Sequence, residues 1–334
     1  KKTAMSATAL SDETEANEDG EMILGKYRLV AHVGRGGMGT VWRARDEFVN
    51  TVAIKMLNAG HGASESQVAR FKREAKVMGK LTHRNICRIH EIGKAEGRIF
   101  IAMQFIDGVS LEQIINHQSM ISKSAHSAAA GSRASHATGD VDFSSIIDSV
   151  QSTEAEAKEA REHSMDGEVP RQDPDEIQEK ATDIGMMVMT HQQTLAIIAK
   201  VCDAVQFAHE RGVLHRDLKP ANIMIGRDGE PIIMDFGLAK LNQRDEDDEQ
   251  SLSISIEGQV VGTIEYMAPE QALSSKEVNE QADVYSIGAI LYYLVTGRPP
   301  FHAATPLDTL MHVLEREPPS PKLLNPQTPK DLET

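Results

Sequence analysis

Short runs of β-branched and aromatic residues, separated by glycine and polar residues, dominate the first hundred positions of the chain. Residues 27–33 and 40–44 flank a glycine-dense stretch, and two such runs around a glycine turn predict a β-hairpin. Further runs that predict strands are residues 51–57, 86–92 and 98–105. Residues 65–80 carry apolar side chains at helical spacing, so this part of the chain predicts an antiparallel sheet with one helix.

The pattern changes to helical spacing further along the chain, with one long interruption. Residues 110–117 predict a short helix, and regularly spaced apolar residues over 191–334 predict a mostly helical structure. Between them, residues 118–190 are rich in Ser, Ala, Glu and Asp, which predicts a low-complexity acidic insertion with a transient helix over 154–163. Residues 1–21 predict a disordered acidic tail.

The acidic character of the chain belongs to three of its segments. The chain has 334 residues and a formal net charge of −15. The net charge is −4 over residues 1–21, −8 over 118–190 and −5 over 241–258, so the remainder is close to neutral. A chain of this charge is not expected to bind nucleic acid.

Several classes of protein lack support in the sequence. No run of about 18 apolar residues occurs, so no membrane contact is predicted, and the first residues contain no apolar leader segment. Cys87 and Cys202 are the only cysteines, which excludes a disulfide framework. The histidines show no zinc-binding spacing, so a zinc site has little support. We expect a cytoplasmic location, with tethering by membrane segments outside this chain as an alternative. The chain starts without Met, and we expect it to be a fragment.

A glycine motif occupies the turn between the first two predicted strands. Residues 34–41 read G-R-G-G-M-G-T-V, which fits the pattern G-x-G-x-x-G-x-V. Glycines in such a turn let backbone N–H groups approach phosphate oxygens without a clash from Cβ. Dinucleotide-binding folds share the core of this pattern, but their fingerprint opens a helix, whereas a β-branched strand follows here.

Lys55 lies in the predicted strand over 51–57, within the sequence V-A-I-K. In isolation, a lysine in a strand is most simply interpreted as a solvated surface residue. An ion pair with Glu74 on the predicted helix would instead direct Lys55 towards phosphate oxygens.

The sequence H-R-D-L-K-P-A-N over residues 215–222 places a carboxylate, a cation and an amide close together. Asp217 would accept a proton from an attacking hydroxyl, and Lys219 would neutralise charge on a transferring phosphoryl group. Asn222 would bind a hard cation through its oxygen, and Asp235 in the later D-F-G sequence would add a second oxygen ligand.

Together these motifs resemble the eukaryotic-type (Hanks-type) serine/threonine protein kinases, and in particular their bacterial branch. The glycine motif, V-A-I-K, H-R-D-L-K-P-A-N, D-F-G and A-P-E (residues 268–270) occur in the order typical of that family. The resemblance implies an α+β, bilobal protein-kinase fold. Its β-rich N-lobe would comprise residues 22–107, and its mostly α-helical, C-terminally incomplete C-lobe residues 108–117 and 191–334.

The resemblance also implies ATP and Mg²⁺ as cofactors and roles for single residues. Lys55, paired with Glu74, would hold the α- and β-phosphates of ATP. Asp217 would be the catalytic base, and Asn222 and Asp235 would hold Mg²⁺.

The nucleotide-binding residues that the resemblance implies follow the glycine motif and the strands around it. The full set is Val33, Gly34, Arg35, Gly36, Gly37, Met38, Gly39, Thr40, Val41, Ala53, Lys55, Met103, Gln104, Ile106 and Met224. The residues that would enclose the adenine ring are Val33, Val41, Ala53, Met224 and Met234. Met103 resembles the gatekeeper residue of the family, and the backbone of residues 104–106 resembles the hinge.

The sequence K-P-A-N, with Thr263 before A-P-E, resembles serine/threonine kinases, so the implied acceptors are Ser and Thr hydroxyls of protein substrates. Arg216 would pair with a phosphorylated activation segment, which runs over residues 235–270. Autophosphorylation in that segment is the implied means of activation, with trans-phosphorylation in a dimer as one route.

Three serines of the activation segment are candidate phosphorylation sites: Ser251, Ser253 and Ser255. Our hypothesis is that Ser255 is phosphorylated and that Glu257 supplies part of the negative charge permanently. The alternative is that these serines only solvate a mobile loop.

Two features depart from the family pattern. The insertion over 118–190 falls at a junction that is usually short, and it would be either a docking or regulatory segment or a tolerated spacer. No arginine follows Arg316 to pair with Glu270 of A-P-E. The alternative function is therefore a nucleotide-binding pseudokinase or scaffold module, inactive because the C-lobe is truncated. A metal hydrolase is a more distant alternative.

Overall fold

The computed structural model describes residues 22–36, 39–57, 79, 81–95, 98–128, 142–164, 189–236, 264–273 and 278–333. The chain divides into an N-terminal unit (Lys1–Ser64 and Ile89–Phe105) and a C-terminal unit (Glu65–Arg88 and Ile106–Thr334). The predicted acidic tail lies outside the described residues, as does the predicted helix over 65–80 except for residue 79.

The described part of the N-terminal unit is an antiparallel sheet. Its strands are β1 (Met22–Leu24), β2 (Tyr27–Gly36), β3 (Gly39–Arg45), β4 (Thr51–Leu57), β5 (Ile89–Ala95) and β6 (Arg98–Gln104), in the spatial order β1-β2-β3-β4-β6-β5. The predicted hairpin is confirmed, because β2 and β3 pair with Gly36 opposite Gly39. Strand β5 begins later than predicted because Ile86 forms a bridge to Ile233 within the C-terminal unit.

Strand β4 shows why this sheet forms. Val52, Ile54 and Met56 alternate along β4 and are all buried in one apolar cluster, as the two-residue period of a strand requires. In the same cluster, the rings of Tyr27 and Phe100 meet edge to face at 5.7 Å between centroids, and burial raises the pKa of Tyr27 to about 12. Lys55 alternates with these residues, so its side chain points to the opposite face of the sheet.

The described part of the C-terminal unit contains a small antiparallel sheet that the sequence did not predict. It consists of β7 (Gly108–Ser110), β8 (Ile223–Gly226) and β9 (Pro231–Ile233), in that order. Strands of three or four residues are too short to show a two-residue hydrophobic period. Strands β8 and β9 are joined by a short turn, in which the N–H of Gly229 donates to the carbonyl of Gly226 at 2.9 Å.

Helices form most of the remaining C-terminal unit, as predicted. In the described residues they are α1 (Leu111–Ala128), α2 (Phe143–Ser164), α3 (His191–His209), α4 (Pro269–Leu273), α5 (Glu280–Thr296), α6 (Pro306–Glu315) and α7 (Pro321–Leu324). A capping box starts α3, because Thr190 and Gln193 exchange side-chain and backbone hydrogen bonds. Among the helices of the described residues, none is long and apolar enough to cross a membrane.

Helix α2 lies within the range predicted as an insertion, yet its first turns are firmly packed. Ile146, Ile147 and Val150 are at most 2% exposed, and their spacing places them on one side of the helix. This side contacts α1 and β7. Ser149 Oγ lies 3.1 Å from His117 Nε2 of α1, and burial lowers the pKa of His117. The three apolar residues are surrounded by polar ones in the sequence, which hides the pattern.

The turn between β8 and β9 provides the second contact of α2. Arg227 in this turn donates from Nη1 to Asp148 of α2 at 2.7 Å and from Nε to Asp107 at 3.1 Å. Gly229 has a φ of +74°, and a Cβ added there would lie 2.6 Å from the ring of Phe143. Helix α2 therefore braces both α1 and the β8–β9 turn.

Replacing Ile147 by Ala tests whether α2 belongs to the folded core. The loss of a completely buried side chain leaves a cavity, so we expect the free energy of unfolding to fall by about 2–4 kcal/mol. Urea denaturation measures this change. The control is Ser152→Ala on the exposed side of the same helix, which should change stability by less than about 0.5 kcal/mol. Equal stability of the two variants would contradict the packing of α2.

Candidate active site

A buried carboxylate holds the backbone next to Asp217. Asp283, at the start of α5, is 1% exposed. Its Oδ2 accepts the backbone N–H of His215 and its Oδ1 accepts that of Arg216, each at 2.8 Å. His209 at the end of α3 places its Nε2 2.7 Å from Oδ2. Because a buried charge is costly without such donors, the loop between α3 and β8 is tied to both helices.

The same loop carries a strained backbone. Among the described residues, three other than glycine have positive φ, and two of them are Arg216 (+64°) and Asp235 (+55°). This conformation costs about 1–3 kcal/mol per residue and persists only where the surroundings impose it. At Arg216, the hydrogen bond from its backbone N–H to Asp283 helps to hold this conformation.

His215 connects the two predicted acidic residues through its ring. The side chain is completely buried, and burial lowers its pKa, which keeps the imidazole neutral. The backbone N–H of Asp217 donates to Nδ1 at 3.3 Å, so Nδ1 is the acceptor and Nε2 donates to the carbonyl of Met234 at 2.9 Å. The ring also contacts Phe236 at 4.6 Å between centroids. The imidazole ring of His215 thus links the backbone N–H of Asp217 to the carbonyl of Met234, the residue before Asp235.

Asp217 lies beside the lysine and the asparagine that the motif predicts. Lys219 Nζ is 3.0 Å from Asp217 Oδ2. Asn222 Nδ2 donates to the main-chain oxygen of Asp217 at 2.7 Å and to its Oδ2 at 3.2 Å. The side chain of Asp217 remains 25% exposed, so a hydroxyl group from outside can approach the carboxylate.

Antiparallel pairing of β8 and β9 places Asn222 and Asp235 at the same end of one hairpin. Asn222 directly precedes β8, Asp235 follows β9, and the N–H of Met234 donates to the carbonyl of Asn222 at 2.8 Å. The two hydrogen bonds that Asn222 Nδ2 donates go to Asp217, so its Oδ1 is the atom that would bind a cation. An amide oxygen with a carboxylate is the donor set that Mg²⁺ accepts together with phosphate oxygens and water, so these residues fit Mg²⁺.

The predicted nucleotide-binding residues of the N-terminal unit lie on its central strands. Lys55 is 7% exposed and stands opposite Val41 of β3 and Ile101 of β6. Ala53 stands opposite Met103. The predicted residues described in this unit are Val33, Gly34, Arg35, Gly36, Gly39, Thr40, Val41, Ala53, Lys55, Met103 and Gln104.

The remaining predicted residues fall elsewhere. Ile106 and Met224 belong to the C-terminal unit, Met224 within β8. Gly37, Met38 and Glu74 lie outside the described residues, so the ion pair of Lys55 with Glu74 stays a prediction. The same holds for the candidate phosphorylation sites over 251–255.

Sequence reasoning missed the two residues that anchor the loop, Asp283 and His209. The signal for Asp283 is an acidic residue at the start of a largely apolar stretch. A carboxylate in such a position requires internal donors. For His209 the only signal is its place at the end of the helix that leads into the H-R-D-L-K-P-A-N sequence.

Comparison with known proteins shows the family of the chain. A sequence model of the family described as protein tyrosine and serine/threonine kinase matches residues 27–332. The serine/threonine-protein kinase pkn3 of Myxococcus xanthus is 32% identical over 313 residues, which cover 92% of this chain and 44% of that protein. PknB of Mycobacterium tuberculosis is 28% identical over 313 residues, which cover 92% of this chain and 38% of that protein. The chain therefore spans less than half the length of these relatives.

A solved structure supports the fold. The kinase domain of Mycobacterium tuberculosis PknI matches with a TM-score of 0.53 and 23% identity, covering 92% of this chain and 84% of that one. The predicted α+β fold, with a β-rich unit and a mostly helical unit, is confirmed. The family model covers nearly the whole chain, and the chain therefore belongs to the protein tyrosine and serine/threonine kinase family.

Proposed function

We propose that this chain transfers the γ-phosphate of ATP to Ser and Thr hydroxyls of protein substrates. Protein kinases act on proteins and use ATP, typically with Mg²⁺. The observation that carries the proposal is the contact of Asp217 with Lys219 and Asn222, on a loop whose backbone is held by Asp283. The relatives named as serine/threonine kinases support Ser and Thr as the acceptors.

The chemical step requires one base and one cation from the C-terminal unit. Asp217 takes the proton of the substrate hydroxyl as its oxygen forms a bond to the γ-phosphorus. The bond from that phosphorus to the β–γ bridging oxygen breaks, and ADP leaves with the electron pair. Lys219 neutralises negative charge on the transferring group. Lys219 Nζ lies 3.0 Å from Asp217 Oδ2, which puts the cation beside the group that would accept the proton.

Asn222 and Asp235 would hold Mg²⁺, which when bound neutralises charge on the β- and γ-phosphates. The β8–β9 hairpin and the bond from the N–H of Met234 to the carbonyl of Asn222 hold the backbones beside the two residues together, which supports a shared role for them. A site formed in advance lowers the cost of ordering ligands at the moment of binding.

The N-terminal unit would supply the contacts to the nucleotide. The turn between β2 and β3 would cover the phosphates with its backbone N–H groups. Lys55 would hold the α- and β-phosphates, and the strands around Ala53 and Met103 would enclose the adenine. A lysine that is 7% exposed in a central strand differs from the solvated lysine that the alternative interpretation requires.

The pseudokinase or scaffold alternative finds little support. Asp217, Lys219, Asn222 and Asp235 are all present, and the relatives across most of the chain are named as kinases. No histidine, cysteine or acidic cluster suited to a metal hydrolase occurs among the described residues.

Replacing Asp217 by Asn tests the proposed function. The amide cannot accept the hydroxyl proton, so we expect the rate of phosphoryl transfer to fall at least about 100-fold. The dissociation constant for ATP should change less than about threefold. Transfer of radiolabelled γ-phosphate to a generic protein substrate, followed by phosphoamino-acid analysis, gives the rate and identifies phosphoserine or phosphothreonine.

The matched control is Asp203→Asn, which removes the same charge from the exposed side of α3 and should leave the rate unchanged. Equal rates for the Asp217→Asn variant and the wild type would remove Asp217 from the role of base. ATP binding by a wild type that transfers no phosphate would favour the scaffold alternative.

We further propose autophosphorylation within the activation segment, in trans and at Ser255 first. Mass spectrometry after incubation with ATP and Mg²⁺ should find phosphate between residues 241 and 263, and none in the Asp217→Asn variant. A reaction between two molecules should double its specific rate when the protein concentration doubles. An unmodified segment in an otherwise active protein would exclude this mode of activation.

A further inference from the structure

Gln271 forms a bridge between α4 and the catalytic loop. It lies in the first turn of α4, directly after A-P-E, and is 7% exposed. Its Oε1 accepts the backbone N–H of Ala268 at 3.1 Å, and its Nε2 donates to the carbonyl of Arg216 at 2.9 Å. The two bonds fix the orientation of the amide, because one partner is a donor and the other an acceptor.

The hydrogen bond from Ala268 to Gln271 lies at the N-terminal end of α4. Ala268 precedes α4, and a Gln three residues later that accepts the N–H of the preceding residue is one half of a capping box. The other half is missing, because Ala268 has no side-chain oxygen. The cap bond therefore holds Oε1 in place and directs Nε2 at Arg216.

The second bond acts on the peptide that immediately precedes Asp217. The carbonyl of Arg216 and the N–H of Asp217 belong to one planar group. Gln271 binds the carbonyl, and His215 Nδ1 accepts the N–H at 3.3 Å. On the other side of the Arg216 Cα, the N–H of Arg216 is bound to Asp283. Arg216 has a φ of +64°, so hydrogen bonds on both sides hold a conformation that the residue would otherwise leave.

The geometry points to Gln271 as a positioning residue for phosphoryl transfer: its amide fixes the peptide plane before Asp217 and thereby aims the carboxylate. This inference rests on the proposed function of Asp217. Both hydrogen bonds of the Gln271 amide are made with backbone groups, so Gln271 acts on Asp217 through the backbone. Misplacing a catalytic group by about 1 Å costs up to about 100-fold in rate, so the effect belongs in kcat and not in binding.

Replacing Gln271 by Met keeps the length of the side chain and removes both hydrogen bonds. We expect kcat to fall at least about tenfold while the KM for ATP changes less than about twofold. The assay is run at a temperature at which circular dichroism shows both proteins folded. The control is Gln113→Met. Gln113 accepts the N–H of Ser110 at 2.7 Å, as in a capping box, but its Nε2 donates to Glu154 of α2. The Gln113→Met variant should keep kcat within about twofold of the wild type.

Replacing Gln271 by Glu gives a readout that a purely structural role would not move. When ionised, the new carboxylate faces the Arg216 carbonyl with no proton to donate. When protonated, it again donates to that carbonyl while accepting from Ala268. Burial raises the pKa of such a carboxyl group. The ratio of the kcat of Gln271→Glu to that of the wild type should therefore rise towards 1 as the pH falls from 7.5 to 5, whereas the ratio for Gln271→Met should stay low.

Two outcomes would overturn the inference: a Gln271→Met variant with kcat within twofold of the wild type, or a Gln271→Glu ratio that does not change with pH. A wild type without phosphoryl transfer would overturn the proposed function together with this inference. The two failures are therefore distinguished by the wild-type rate.

Discussion

The carboxylate of Asp283 accepts hydrogen bonds from two consecutive backbone N–H groups and from His209, inside the C-terminal unit. Breaking a buried arrangement of this kind costs about 3–5 kcal/mol, because it leaves a charge or its donors without partners. Helices α3 and α5 and the loop between α3 and β8 therefore depend on one another for stability. The positive φ of Arg216, the placement of His215 and the direction of Asp217 depend on these bonds of Asp283, and the bond from Gln271 to the Arg216 carbonyl holds the same peptide from the other side.

The β8–β9 hairpin connects the loop that Asp283 holds to the proposed metal ligands. Its open end holds Asn222 and Asp235, and its turn carries Arg227, which α2 binds. Next to this turn, Glu230 is bound by Lys200 of α3 at 2.7 Å, and this bond lowers the pKa of Glu230. The hairpin is therefore held on α3 and α2 near its turn, while the chemistry lies at the opposite end.

The sequence predicted what depends on residue type and local spacing. The hairpin around the glycine motif, the helical character beyond residue 191 and the closeness of Asp217, Lys219 and Asn222 follow from patterns within a few residues. It did not predict β8 and β9, which are too short to show a period. It also did not predict the packed first turns of α2, because three apolar residues among polar ones give a weak signal. Asp283 and Gln271 act on residues more than fifty positions away, and local patterns cannot reveal such bonds.

The phosphoryl transfer rate of the Asp283→Asn variant tests the role of the Asp283 carboxylate most directly. An amide presents one oxygen and one NH₂ group to donors that require two oxygens, so one backbone N–H loses its acceptor. In protein shown to be folded by circular dichroism, kcat should fall at least about 100-fold relative to the wild type. The Asp203→Asn control should keep the wild-type rate. A folded Asp283→Asn variant with kcat within about threefold of the wild type would contradict the account.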